Sequence, residues 1–114
     1  MYIHDDDIKR QPRNQLLYAE NREHFNALVA QGKITQLHNQ NLSDADLRGF
    51  DLSNMDLSGS YMRGANLAGL DLSGANFSGV SLKHAKVSGC YFPKDLRADE
   101  IRLSLDFGTR IRHR

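Results

Sequence analysis

The chain is expected to fold as an all-β solenoid, and three observations in the sequence predict it. Seven of its nine glycines (Gly49, Gly59, Gly64, Gly69, Gly74, Gly79 and Gly89) lie multiples of five residues apart. An apolar residue recurs at the same spacing without a slip of phase: Leu37, Leu42, Leu47, Leu52, Leu57, Met62, Leu67, Leu72, Phe77, Leu82, Val87 and Phe92. A second set two residues earlier is mostly small or apolar: Ala45, Phe50, Met55, Ser60, Ala65, Leu70, Ala75, Val80, Ala85 and Cys90. The pattern inward, outward, inward, outward, outward matches neither the period of a strand nor that of a helix. It describes three extended residues and a corner, and a corner every five residues closes a coil that then stacks. Ser and Gly, which follow the apolar centres, suit such corners.

The units themselves carry a family resemblance. Ala45-Asp46-Leu47-Arg48-Gly49, Ala65-Asn66-Leu67-Ala68-Gly69 and Ala75-Asn76-Phe77-Ser78-Gly79 resemble the A(D/N)LxG unit of pentapeptide-repeat proteins. The resemblance implies a right-handed quadrilateral β-helix with four units in each 20-residue coil, so residues 35–94 would make about three coils. At the usual spacing of ~4.8 Å between strands the stack would be about 15 Å tall. Columns follow from that period. Leu47, Leu67 and Val87 stack, as do Leu52, Leu72 and Phe92, while Phe50, Leu70 and Cys90 form a bulkier column than Ala45, Ala65 and Ala85. Thr35 and Gln40 depart from the small apolar pattern, so the first coil is expected to be irregular.

A short stack needs its ends closed. Residues 1–13 read as a polar lead-in containing Pro12, and residues 14–32 as an N-terminal capping helix. Asn14 is a candidate N-cap, Gly32 lies past the C-terminus, and Leu17, Phe25, Leu28 and Val29 form the apolar stripe. Asn21 offers a second start, which would make two shorter helices. Residues 95–114 form a C-terminal cap and basic tail. There Ile101, Leu103, Leu105 and Phe107 alternate as in a strand, whereas Asp99, Glu100 and Gly108 suit the start and end of a helix. The helix is favoured, and its apolar face would cover the last coil or a second subunit.

Length and composition fit a single domain of 114 residues with a net charge of +1. No run of residues has the length and apolarity of a membrane span, and the first residues lack the make-up of a signal peptide. The single cysteine leaves no internal disulfide. A cytoplasmic protein, bacterial in style, is expected.

No constellation in the sequence points to catalysis, a cofactor or a metal. His4 with Asp5, Asp6 and Asp7 lacks a second, suitably spaced histidine, and the register turns Cys90 inward as a small core residue. His24, His38 and His84 read as surface groups, and Ser43, Ser53, Ser58, Ser73, Ser78 and Ser88 as corner residues. The chain is expected not to be an enzyme. Tyr61 and Tyr91 stand in the outward place usually held by Asp or Asn, and tyrosine is favoured in recognition surfaces. Arg63 should lie under Lys83, with Lys86 nearby and Arg110 and Arg112 in the tail; like charges in a column are mildly unfavourable. These residues form the candidate partner surface. The leading expectation is a protein–protein interaction or scaffold module that is itself a possible homodimer. One alternative, implied by the resemblance, is DNA mimicry towards a topoisomerase such as gyrase, although the acids here (Asp46, Asp51, Asp56, Asp71) are interrupted by Asn66, Asn76, Arg63 and Lys86. Another is nucleic-acid binding through the basic corner and tail, which would weaken with salt.

Overall fold

The computed structural model describes residues 17–113. Parallel bridges join positions twenty residues apart all along the repeat segment: Gln36 to Asp56, Asn41 to Tyr61, Asp46 to Asn66, Asp56 to Asn76, Tyr61 to Ser81, Asn66 to Lys86 and Asp71 to Tyr91. The repeats thus wind into three 20-residue coils with four sides, one unit to a side. Each bridge stands alone, and the described residues contain no longer strand. The expectation of an all-β architecture is corrected to that extent. A corner every five residues leaves each side room for a single bridged residue, too short to propagate a ladder.

Corners are β-turns closed by an N–H donating three residues back, as from Ala65 to the Met62 carbonyl at 3.1 Å and from Leu70 to Leu67 at 3.1 Å. The second corner residue usually has a positive φ, which is why glycine recurs there. Gly59 (φ +73) is doubly constrained, since a Cβ on it would lie 2.1 Å from Asn39 Oδ1. Gly74 has an ordinary φ and is needed for space, because its Cβ would fall 2.2 Å from Asn54 Oδ1 and 2.8 Å from the Ser53 carbonyl. Asn39, Asp44 and His84 take the left-handed conformation without being glycine.

The outward Asp and Asn residues also serve the corners. Their side-chain oxygens accept the N–H two residues on: Asn41 from Ser43, Asp46 from Arg48, Asp51 from Ser53, Asp56 from Ser58, Asn66 from Ala68, Asp71 from Ser73 and Asn76 from Ser78. This is the Asx geometry that makes these residues turn formers.

Both inward sets form one core. Leu42, Leu47, Leu57, Met62, Ala65, Leu67, Leu72, Phe77, Val80 and Leu82 are completely buried. The expected irregularity of the first coil has a specific remedy. At its opening corner the buried Ser60 hydroxyl, one coil up, donates to the Leu37 carbonyl at 2.6 Å and accepts the Gln40 N–H at 3.0 Å.

The N-terminal cap is a 3₁₀ turn at Ala19–Asn21 followed by helix α1, Arg22–Ala30. This helix is shorter than the expected span of 14–32, and the proposed cap Asn14 lies outside the described residues. Asn21 occupies the N-cap position. Gly32 (φ +72) ends α1 in a Schellman arrangement, with Lys33 N–H on the Leu28 carbonyl and Gly32 N–H on that of Val29. Phe25 is buried edge-on against Phe50, with ring centroids 5.4 Å apart. Helix α2, Ala98–Phe107, closes the other end and stops at Gly108 in the left-handed conformation. Glu100 and Ser104 are its buried residues, and Ile101 and Leu105 are half-buried against the core.

Candidate interaction surface

Four sides present different outward residues. The side of residues 40–44, 60–64 and 80–84 carries Tyr61, Arg63, Lys83 and His84. Tyr61 is 48% exposed, and the Arg110 guanidinium lies 4.6 Å from its ring centroid. Arg110 also donates to the Tyr61 hydroxyl and to the Gly79 carbonyl. The tail therefore brings Arg110 onto the side that already holds Arg63 and Lys83, and none of the three forms an ion pair among the described residues. Stacking of this kind fixes a cation that stays accessible.

The other candidates do not join them. Tyr91, 70% exposed, belongs to the side shared with Asp51 and Asp71, and Lys86 to that of Asp46 and Asn66. Arg112 is engaged within the fold: its guanidinium meets Glu100 at 2.8 Å and its N–H donates to the same carboxylate. The Arg112 side chain holds the Glu100 carboxyl down to about 2. The basic tail is thus docked, with Ile111 2% exposed beneath it.

The repeat carboxylates are spread over all four sides, Asp44 included, and several are tied locally. Arg48 donates to both oxygens of Asp46 and draws its pKa down to about 2. The Ser58 and Ser73 hydroxyls lower Asp56 and Asp71 respectively, and His113 lowers Asp95. No continuous acidic face results among the described residues.

Several residues that matter most to the ends were not singled out from the sequence. Asn26 on α1 accepts the Asp51 N–H at 2.8 Å and donates to the Gly49 carbonyl at 2.9 Å, doing for the first coil what a coil below would do. At the other end the upward N–H groups of the third coil find partners in turn. Phe77 donates to His113 Nδ1, Gly79 to the Ile111 carbonyl, Leu82 to Ser104 Oγ and His84 to the Leu105 carbonyl. Because Nδ1 of His113 accepts, its ring proton sits on Nε2 and faces Asp95 Oδ1 at 2.9 Å. The one signal available was that Asn26 and Ser104 are polar residues on otherwise core-facing helix stripes.

The described residues hold no group of three or more His, Cys, Asp or Glu arranged for a metal, and His4 with Asp5 to Asp7 lies outside them. Cys90 is half-buried, its thiol 2.8 Å from the Leu67 carbonyl and its pKa raised by burial. His24, His38 and His84 are exposed. A recess of about 370 Å³ is lined by Asp95, Arg97, Asp99, Glu100 and Arg112, and its arginines are paired with Asp99 and Glu100.

A short stack of five-residue units, with capped ends and its distinctive chemistry on outward side chains, defines a repeat protein of the scaffold class. The pentapeptide-repeat family model matches residues 41–79 in eight copies, so this stretch is a run of pentapeptide repeats. No curated protein and no solved structure matches the chain. The matched span omits the first unit and those after residue 79. In these, Gln36, Ser81, Lys86 and Tyr91 replace Asp or Asn, yet the bridges continue through them.

Proposed function

We propose that this protein is a non-catalytic interaction module, a right-handed quadrilateral β-helix that presents the side of Tyr61, Arg63, Lys83 and Arg110 to an acidic surface of another protein in the cytoplasm. The observation that carries this reading is the stacking of Arg110 on the exposed Tyr61 ring beside two cations that have no carboxylate partner among the described residues. Exposed aromatic and arginine side chains of this kind supply most of the energy at protein interfaces. The pentapeptide repeats support the non-catalytic character. No helix among the described residues is long and apolar enough to cross a membrane. The exposed Leu103 and Phe107 of α2 support homodimerisation through the C-terminal cap.

The test is affinity capture with the wild type and with Tyr61→Ala/Arg63→Ala/Lys83→Ala, quantified by mass spectrometry. A partner retained by the first and lost by the second supports the assignment; identical capture by both overturns it. The same basic side favours nucleic acid as a second reading, and a mobility shift at low salt that fades as salt rises would select it. For gyrase modulation the dispersal of the acids over all four sides is unfavourable, and an unchanged supercoiling assay would end it.

A further inference from the structure

The lid over the last coil covers only part of it. In the second coil Ala65 and Leu67 are fully buried, whereas their counterparts Ala85 and Val87 are half-buried, as is Cys90. The hydrogen bonds tell the same story. Below, Lys86 donates to the Ala65 carbonyl, Leu67 donates to that of Lys86, Gly69 to that of Ser88, and Tyr91 to the carbonyl of Leu70. One coil higher, the Ala85 and Cys90 carbonyls and the N–H groups of Val87 and Gly89 occupy the same places and have no partner among the described residues. Helix α2 and the tail serve the N–H groups of Phe77, Gly79, Leu82 and His84 and leave this stretch bare.

The chain itself shows how such an edge is filled. Its own tail adds to the neighbouring side, where Ile111 exchanges hydrogen bonds with Gly79 (2.7 Å) and Val80 (2.9 Å) and buries its side chain over the core. On the open stretch the outward charged groups are Lys86 and, at its end, Lys94, with Ser88 and Tyr91 exposed between them. Neither lysine forms an ion pair among the described residues, and residues 85–94 contain no carboxylate.

We propose that the edge at residues 85–90 docks an extended acidic segment of another protein, which adds as a partial fourth coil in the parallel register of the coils below. Such a segment places a leucine over Val87, small or apolar residues over Ala85 and Cys90, and an acid over Lys86, where opposite charges directly across a bridge attract. This surface is separate from the Tyr61 and Arg110 side. The stretch 45–52 of this chain, Ala-Asp-Leu-Arg-Gly-Phe-Asp-Leu, has that chemistry and occupies the same two sides two coils lower.

The experiment uses a fluorescent synthetic peptide copying residues 45–52, titrated into the intact protein, with amide exchange read by NMR. Expected are saturable binding below about 1 mM and slower exchange confined, among the coil amides, to Val87, Gly89 and Phe92, whose counterparts Leu67, Gly69 and Leu72 donate to the coil above. N-methylation of both peptide aspartates, which removes the donors to the Ala85 and Cys90 carbonyls, should weaken binding by at least about tenfold. No binding, equal binding of the N-methylated peptide, or protection centred on Tyr61 would each overturn the proposal. So would Val87 and Gly89 amides that are already slow without peptide and quicken on dilution, because a second copy would then hold the edge.

Discussion

Replacing Ser104 by alanine removes a single oxygen from the lid and should destabilise the whole domain. Ser104 Oγ accepts the Leu82 N–H at 2.8 Å, and both residues are 0% exposed. The equivalent donors in the lower coils, Leu42 and Met62, bond to the Tyr61 and Ser81 carbonyls at 2.7 and 2.8 Å. Ser104→Ala leaves the Leu82 N–H buried and unpaired, at a cost of about 1–3 kcal/mol. Alanine's better helix propensity returns roughly 0.5 kcal/mol. For a domain of this size the net loss lowers Tm by roughly 3–15 °C. Scanning calorimetry measures the shift, and Ser88→Ala at an exposed corner is the control, expected within about 0.5 kcal/mol of wild type. A Ser104→Ala protein that melts with the wild type would refute the claim that α2 stands in for the next coil.

Three further outcomes follow from the geometry. Gly59→Ala should cost more than Gly69→Ala: both have positive φ and incur the strain of about 1–2 kcal/mol, but only the first places a Cβ against Asn39; equal denaturation midpoints would contradict this. Glu100 has a pKa of about 2 against an ordinary 4.5, so its contribution is complete above pH 4.5 and is lost as the pH falls towards 2. In urea titrations across that range Glu100→Gln should therefore be less stable than wild type at pH 6 and nearly as stable at pH 2, and a constant difference would refute the assignment. Phe107→Glu, a change at a 70% exposed residue, should leave the melting of the monomer intact while abolishing any dimer seen by sedimentation; a dimer unaffected by it would exclude this flank of α2.

The coil was legible because twelve apolar centres keep one phase, and the bridges at twenty-residue spacing fall on the residues just before those centres. In sequence the Asp and Asn residues beside them show only outward polarity, whereas in the fold each is engaged by an N–H two residues on. That signal was present in the Asp-Leu-Ser and Asn-Leu-Ala spacing of the corners. The register places Ser60 among the inward residues, but its bond to the Leu37 carbonyl joins the second coil to the first and depends on how the first corner closes. Ile101, Leu103, Leu105 and Phe107 alternate in sequence yet lie on a helix, which sends Ile101 and Leu105 to the core and leaves Leu103 and Phe107 outside. On the candidate surface Tyr61, Arg63 and Lys83 could be grouped from the period alone. Arg110 joined them and Arg112 left them because of where the tail docks, which depends on Ile111 and Glu100 rather than on any repeat.

At the ends of the stack Asn26, Ser104, His113 and the tail reproduce hydrogen bonds of a missing coil and leave residues 85–90 open. Residue-resolved amide exchange tests this most directly. The N–H groups of Leu82 and His84 should be protected to a degree comparable with those of Met62 and Gly64 one coil below, while Val87 and Gly89 exchange quickly. Fast exchange at Leu82 and His84, or uniform protection around the whole third coil, would contradict it.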